Sequence, residues 1–430
     1  MNNEVSMKIR TKKLPIEKAL AIKPPAHKRP GKPFLPLGGL IRLLSLPDLW
    51  TTRFTFTKHR MEEAGEGPYL ILMNHSSFID LKIAFRIFWP MPFGIVCTTD
   101  GLVGKKWLMK LIGCFPTQKF VTDLSLVMDM LHMLRKNKTS VLMFPEAGYT
   151  FDGRNSPLPR HLGTLIKKLK VPVISVITDG AFLRDPLYNG LQLRKTKVSA
   201  KVTCLFTREE VDALSVDELD SRSDETFRFD AFASQYENRV ELKEKFRADG
   251  LNRILYRCPA CCTDGAMEGK GTLLTCHHCG KQYEMDIYGR MRALVGETEF
   301  AHIPDWYDWQ RKCVRREILN GSYKMELPVD IGILADHKAL YMVGSGTLVH
   351  DIDGFTLTDS TGKLHYTQAS SSCYTLNADF YWYQIGDVIG IGNKERLYYC
   401  FPKTKDVVTK ARLATEELYK LHKGETADVK

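Results

Sequence analysis

The chain has 430 residues, of which 44% are hydrophobic and 26% charged, with a formal net charge of +11. This length exceeds one ordinary hydrophobic core, so we expect two or three domains, and the composition excludes a wholly disordered chain. No apolar run reaches the roughly 18–20 residues of a membrane-spanning helix, and the N-terminus lacks the apolar core of a signal peptide.

The first 40 residues predict a basic N-terminal arm. They carry nine Lys and Arg against two Glu, which gives a balance of +7. The apolar run FLPLGGLIRLLSLPDLW follows at residues 34–50. Basic and apolar segments side by side can rest on an anionic membrane surface, whereas a solvated, partly disordered tail is the alternative.

Residues 41–206 alternate short apolar runs with amphipathic runs of helical length. The strand-like runs are YLILM, PFGIVC, SVLMF, VPVISVIT and VSAKVTCLF. This alternation predicts an α/β domain with a mainly parallel sheet.

The rest of the chain divides by composition. Residues 207–250 are highly charged, with Thr207 and Glu210 at capping-box spacing, and predict a helical connector. Residues 251–290 contain a metal-type cysteine pattern. Residues 291–430 are rich in β-branched and aromatic residues and end in an amphipathic stretch, which predicts a β-rich domain closed by a C-terminal helix.

His75 and Asp80 follow the first strand-like run of the α/β domain. Two interpretations are open for Asp80: Ser77 and Asp80 have the spacing of a capping box, and His75 with Asp80 has the composition of a general base and its orienting acid. In an open α/β sheet, ligands bind at the carboxyl ends of the strands, where His75 is expected.

Two further segments are expected at the same edge. The run SVLMF ends in Phe144, Pro145, Glu146 and Gly148, and the run LIGCFPTQKF carries Gly113 and, six residues later, Lys119. Proline limits strand extension and glycine allows a substrate close to the backbone. A base, two carboxylates and a cation could therefore converge.

Three motifs occur in a defined order over this part of the chain. NHSSFID at 74–80 has the form Asn-His-x4-Asp, FPEA at 144–147 followed by Gly148 approximates Phe-Pro-Glu-Gly, and VPVISV at 171–176 has the form Val-Pro-Val-x-x-Val. With these motifs, residues 40–205 resemble the glycerolipid acyltransferases of the 1-acylglycerol-3-phosphate acyltransferase type.

The resemblance implies a mechanism and a set of site residues. His75 would deprotonate the hydroxyl of a lysophospholipid acceptor, which attacks an acyl thioester carried by coenzyme A or acyl-carrier protein, and Asp80 would orient the imidazole. Phe144, Pro145, Glu146 and Gly148 would line the acceptor site, with Glu146 on acceptor hydroxyls.

The chain departs from the family motifs at the residues that would bind the acceptor. Lys119 stands where the family has an arginine on the acceptor phosphate, and lysine offers a point charge in place of a bidentate fork. Ala147 replaces a glycine, and Tyr149 replaces a second arginine. We expect Arg154 to supply the lost charge.

Four cysteines form two Cys-x-x-Cys pairs in a region typical of a zinc ribbon. Cys258 and Cys261 are followed after 14 residues by Cys276 and Cys279. Four thiolates at this spacing predict a closed, structural zinc site. Cys262, His277 and His278 are then spare, and a ligand set that includes a histidine is the alternative. Reduced cysteines predict an intracellular protein, which we place in the cytoplasm, peripheral on the inner face of a membrane.

The functional prediction is a phospholipid acyltransferase acting at a membrane surface, and two alternatives belong to other classes. A non-catalytic lipid-binding scaffold would need no general base, and the His75–Asp80 pair argues against it. A nucleic-acid-binding protein would fit a basic chain with a zinc ribbon, but the charges around the ribbon cancel, so nucleic acid is not expected as a partner.

Overall fold

The structure, a computed structural model, describes residues 8–119, 124–159 and 161–424. Three sheets organise these residues: one of seven strands, one of four and one of eight. Among the described residues, no helix is long and apolar enough to cross a membrane.

The N-terminal segment does not form a free arm in its described part. It contains β1 (Thr11–Lys13), α1 (Ile16–Leu20) and the start of α2 (Leu35–Thr51). β1 pairs in parallel with residues 340–342 of the C-terminal sheet, and Ile16 and Ala19 are buried. The alternative of a solvated tail therefore does not describe residues 11–20, because β1 pairs with β14 and the apolar side chains of α1 are buried.

The α/β unit contains the seven-stranded sheet. Its strands are β2 (Thr55–His59), β3 (Leu70–Met73), β4 (Phe93–Thr98), β5 (Cys114–Thr117), β6 (Ser140–Met143), β7 (Val173–Asp179) and β8 (Ser199–Phe206). The order is β2-β8-β7-β3-β6-β4-β5. Five neighbouring pairs are parallel, and β7 with β8 is antiparallel. The sheet is thus mixed, with parallel pairing in the majority.

Helices cover both faces of this sheet and continue beyond it. They are α3 (Asp80–Phe88), α4 (Lys106–Ile112), α5 (Leu124–Leu131), α6 (Leu162–Leu169), α7 (Ala181–Arg184), α8 (Arg208–Ala213), α9 (Val216–Phe227) and α10 (Ala231–Glu237). Short 3₁₀ turns lie at Thr99–Leu102, Leu187–Asn189 and Leu251–Arg253, and a π turn at His132–Lys136. The predicted capping box of Thr207 and Glu210 is formed at α8, and Ser215 with Glu218 forms another at α9.

The cysteine-rich segment folds as a small antiparallel sheet. Its strands are β9 (Met267–Lys270), β10 (Leu273–Cys276), β11 (Gln282–Met285) and β12 (Met291–Ala293), in the order β12-β11-β10-β9. The short strands flank the cysteines, so the ladder brings the two Cys-x-x-Cys pairs together.

The C-terminal unit is β-rich and ends in a helix, as predicted. It contains α11 (Ile303–Leu319), β13 (Met325–Leu334), β14 (Leu340–Asp351), β15 (Gly354–Asp359), β16 (His365–Ala369), β17 (Asn377–Trp382), β18 (Gly386–Gly392), β19 (Leu397–Pro402) and α12 (Val408–His422). The sheet order is β16-β15-β14-β13-β19-β18-β17, with β1 added on β14. The sequence did not predict α11, which packs against α12 through an apolar face with helical spacing.

One hydrophobic core joins the α/β unit to the ribbon and the C-terminal sheet. Phe151 and Phe182 of the α/β unit, Tyr283 of the ribbon and Phe380 of β17 belong to the same buried cluster. The rings of Phe151 and Phe380 lie 4.5 Å apart. The C-terminal sheet therefore packs directly on the unit that carries His75.

Candidate active site

The loop after β3 begins with a residue that joins two strand ends. The side-chain oxygen of Asn74 accepts hydrogen bonds from Thr178 N (2.8 Å) and Thr178 Oγ1 (3.0 Å) at the end of β7. Its Nδ2 donates to the Thr178 carbonyl at 3.2 Å. These buried amide contacts fix the chain direction immediately before His75.

His75 and Asp80 form a direct pair. His75 Nδ1 lies 3.1 Å from Asp80 Oδ2, and the carboxylate is 1% exposed while the imidazole is 20% exposed. Asp80 Oδ2 also accepts the backbone N–H groups of Ser76 (2.8 Å) and Ser77 (3.0 Å). The expected capping box is only half formed: the carboxylate accepts the Ser77 N–H, but Asp80 is the first residue of α3, whose N-cap is Ile79 without a side-chain cap. The same carboxylate holds the imidazole, as the pairing interpretation expects.

The imidazole is held between two aromatic rings. Phe144 stacks on His75 with a centroid distance of 4.2 Å, and Tyr149 lies at 3.9 Å. His75 Nε2 makes no hydrogen bond in the described part of the chain, so it is the nitrogen left for a substrate hydroxyl. The sequence showed Tyr149 only as a departure from the motif and gave no signal of this stacking.

Glu146 supports His75 through the backbone. Its Oε1 accepts the His75 N–H at 3.1 Å and its Oε2 accepts the Ser156 N–H at 2.7 Å. Burial raises the pKa of Glu146 to about 7, against the lowering effect of these two hydrogen bonds and of Arg412. Each oxygen accepts one backbone N–H and the side chain is buried, which argues against the expected role on acceptor hydroxyls and indicates a positioning role for Glu146.

Arg154 is also placed differently from the expectation. Its Nε donates to Asp152 at 2.8 Å, while Nη1 and Nη2 donate to the two carboxylate oxygens of Asp308 at 2.7 and 2.8 Å. The bidentate pair with Asp308 ties the loop after β6 to α11. All three guanidinium nitrogens have protein partners, which argues against the expected role on an acceptor phosphate.

The other predicted substrate-binding residues lie in different surroundings. Pro145 is buried beside Glu146, and a Cβ built on Gly148 would meet no atom within 4 Å, so space is open there. Ala147 has φ +54°, in the left-handed region that favours glycine. Lys119 lines a narrow crevice with Thr375 and Asn377 of the C-terminal unit.

Further carboxylates surround the aromatic side of the site. Ser77 Oγ donates to Asp185, which pairs with Arg184 at 3.0 Å. Burial, and then the charges of Asp80 and Asp379, raise the pKa of Tyr149 well above its ordinary value. Its phenol therefore stays neutral, and the carboxylates near Tyr149 make the electrostatic potential beside His75 negative.

The four predicted cysteine ligands form one cluster. Their sulfur atoms all lie within 4.8 Å of one another, with Cys258 to Cys279 at 3.7 Å and Cys261 to Cys276 at 3.8 Å. Four sulfurs bound tetrahedrally to zinc at about 2.3 Å lie about 3.8 Å apart, so the donor set fits this ion. The exposed Cys262 is not in the cluster.

A comparison with protein-family models finds a match inside the α/β unit. Residues 53–179 match the family model described as Acyltransferase. This segment, which contains His75, Asp80 and Glu146, is similar to that family and covers less than half of the chain.

The chain was also compared with solved structures and with curated proteins. A solved structure, the 1-acyl-sn-glycerophosphate acyltransferase PlsC from Thermotoga maritima, is similar at 14% identity and a TM-score of 0.35, covering 44% of this chain and 78% of that one. No curated protein matches the chain.

Proposed function

We propose that the protein is an O-acyltransferase that moves a fatty acyl group from an acyl thioester to the hydroxyl of a lysophospholipid such as 1-acylglycerol-3-phosphate, in phospholipid synthesis or remodelling. The observation that carries the proposal is the His75–Asp80 pair, 3.1 Å apart at the carboxyl end of β3, with Nε2 of the imidazole unpaired. Histidine as a side-chain type is the usual general base near neutral pH.

The proposed reaction is a direct acyl transfer. His75 Nε2 takes the proton of the acceptor hydroxyl while the oxygen attacks the thioester carbonyl. The tetrahedral intermediate then collapses, the carbon–sulfur bond breaks, and the thiolate leaves with the proton returned by the imidazolium. Asp80 stabilises the imidazolium and fixes the tautomer that leaves Nε2 free.

The donor is acyl-coenzyme A or acyl-carrier protein, and its tail needs an apolar channel. We assign the tail to a cavity of about 460 Å³ at the far end of α3 from Asp80. Its apolar lining includes Tyr69, Phe88, Trp89 and Met91. The nine residues of α3 span about 14 Å, a distance that a medium or long acyl chain covers.

The acceptor head group is assigned to the open space beside Gly148. With Arg154 held by carboxylates, Lys119 is the remaining predicted cation for an anionic head group. Because Lys119 lines a crevice with residues of the C-terminal unit, the proposal has that unit next to the acceptor.

A membrane surface is proposed as the second partner, with the protein peripheral on the cytoplasmic, inner face. Large exposed apolar side chains on α2 and the neighbouring α4 are Leu35, Leu40, Leu43, Leu44, Trp50, Trp107 and Leu111. Lys105 and Lys110 are exposed among them. Apolar side chains interspersed with lysines suit insertion into an anionic interface, where a water-insoluble acceptor would be found.

Zinc is the ion that we propose the cysteine cluster binds. Cys258, Cys261, Cys276 and Cys279 would hold the ion in a closed site that stabilises the ribbon between the two larger units. All four positions are filled by protein ligands, so the role is structural.

Acyl transfer by the purified protein in mixed micelles tests the function. Labelled acyl thioesters of several chain lengths would be combined with a panel of lysophospholipids and other lipid alcohols. We expect transfer by the wild type and its loss in His75→Ala with unchanged folding and zinc content. Absence of transfer by the wild type across the panel, or full activity of His75→Ala, would reject the proposal.

A further inference from the structure

We infer that Arg412, on the last helix of the chain, positions His75 through Ser156 and Glu146, so that the C-terminal unit is part of the acyltransferase site. Arg412 lies outside the segment that matches the acyltransferase family model. This inference rests on the proposed role of His75 as the general base.

A continuous set of hydrogen bonds connects α12 to the imidazole loop. Arg412 Nη2 donates to Ser156 Oγ at 2.8 Å. The backbone N–H of Ser156 donates to Glu146 Oε2 at 2.7 Å, and the backbone N–H of His75 donates to Glu146 Oε1 at 3.1 Å. The loop also binds His75 directly, because Thr150 N–H donates to the His75 carbonyl at 3.2 Å.

Arg412 is itself firmly held. Its side chain is 8% exposed, its guanidinium carbon lies 4.3 Å from the ring centre of Phe151, and its Nε donates to Glu416 at 3.1 Å. Glu416 in turn accepts from Thr375 at 2.7 Å and pairs with Arg311 of α11 at 2.7 Å. Buried charge pairs of this kind have few alternative geometries, so they fix the loop residues they touch.

The charge of Arg412 also acts on Glu146. Glu146 is faced by Arg412 from α12 and by Asp80 from α3, and by the backbone N–H groups of His75 and Ser156. Arg412 and the two N–H groups lower the pKa of Glu146, while Asp80 and burial raise it. A neutral residue at position 412 would therefore raise the pKa of Glu146, so that its carboxyl becomes protonated at a higher pH. A protonated carboxyl accepts one of the two N–H groups less well.

Four variants of the full-length protein test the inference. Ser156→Ala removes only the hydroxyl that Arg412 contacts, Arg412→Leu removes the guanidinium while Glu416 keeps its pair with Arg311, and Arg412→Lys keeps the charge. Lys410→Met is the matched control: Lys410 lies on the same helix and pairs with Asp264 and Glu317, each at 2.8 Å, away from the imidazole loop.

The first measurement is hydrogen exchange without substrate, over residues 74–80 and 144–156. We expect faster exchange in these two segments in Ser156→Ala and Arg412→Leu, with Arg412→Lys closer to wild type and Lys410→Met unchanged. Equal exchange in wild type, Ser156→Ala and Arg412→Leu overturns the inference. This readout needs no activity, so it is separate from the test of the proposed function.

The second measurement is acyl transfer as a function of pH. We expect kcat to fall between about tenfold and a hundredfold in Arg412→Leu, because a small displacement of the base is costly, with little change in KM. The acidic limb of the profile should move to higher pH in Arg412→Leu and return in Arg412→Lys. Unchanged kcat and an unmoved acidic limb in Arg412→Leu overturn the inference.

Discussion

The carboxylate of Glu146 accepts the backbone N–H of His75 at 3.1 Å, while its second oxygen accepts the N–H of Ser156 at 2.7 Å. A buried acid thus joins the loop after β3 to the loop after β6. His75 is held from both sides, by Glu146 on its backbone and by Asp80 on its ring.

Asp80→Asn should remove most of the activity while the protein stays folded. The amide cannot stabilise an imidazolium and favours the wrong tautomer, so we expect kcat to fall on the order of 10⁴-fold, as for the equivalent change in a serine-protease triad. Steady-state kinetics in mixed micelles measures the effect, and circular dichroism checks folding. A folded Asp80→Asn with more than a tenth of wild-type kcat would leave Asp80 only as the acceptor of the Ser76 and Ser77 N–H groups at the start of α3.

Glu146→Gln should change how stability depends on pH. Because burial raises the pKa of Glu146 from 4.5 to about 7, the folded protein binds this proton more tightly than the unfolded chain. The free energy of unfolding therefore falls as the pH rises from about 4.5 to about 7, by roughly 3 kcal/mol from this group.

Urea unfolding across that pH range measures this contribution. The fall should be smaller by about this amount in Glu146→Gln and unchanged in the control Glu326→Gln, which changes an exposed residue of β13. The same pH dependence in Glu146→Gln and wild type would contradict the assignment.

Arg154→Met should cost stability and leave the acceptor KM unchanged. The change removes the bidentate pair with Asp308 and the contact with Asp152, which we expect to lower the free energy of unfolding by about 1–3 kcal/mol. Urea unfolding and acceptor titration separate the two effects. A large rise in acceptor KM with stability intact would restore the phosphate-binding role predicted from the sequence.

Cys279→Ser should release zinc and destabilise the ribbon. Loss of one thiolate opens a site whose metal binding contributes to folding, so we expect a stability loss of roughly 2–5 kcal/mol. Atomic absorption gives the zinc content and thermal unfolding the stability. Cys262→Ser, which changes an exposed cysteine outside the cluster, is the control and should retain the metal.

Leu40→Ser combined with Leu44→Ser should weaken binding to anionic vesicles by about tenfold or more, because two exposed apolar side chains of α2 lose their burial in the lipid interface. Vesicle co-sedimentation measures binding. Leu319→Ser on α11 removes an equally exposed leucine elsewhere and should bind normally. Equal binding by wild type and the double variant would place the membrane contact on another surface.

Local sequence patterns predicted much of the molecule. The β3, β6 and β7 runs, the capping box at Thr207 and the cysteine pairs are encoded by neighbouring residues, and the structure forms each of them. His75 and Asp80 lie five residues apart, so their contact needs only the turn between β3 and α3. A pattern confined to one segment can be interpreted without knowing the rest of the fold.

Other features depend on residues far apart in the chain. No local pattern indicates that Arg154 pairs with Asp308, that Arg412 contacts Ser156, or that β1 pairs with β14. In each case the two partners lie more than a hundred residues apart in the chain. The sequence identifies a charged side chain, but it does not identify the residue with which that side chain pairs.

The sequence by itself therefore determined the individual strands of the α/β unit, the His75–Asp80 contact and the cysteine cluster, because the residues that define each lie within one turn, strand or short ribbon. Only the tertiary structure decided that Glu146 supports the backbone, that Tyr149 stacks on the imidazole, and that the C-terminal unit packs against the site. Those outcomes depend on which buried hydrogen bonds and apolar surfaces meet when the two larger units share one core.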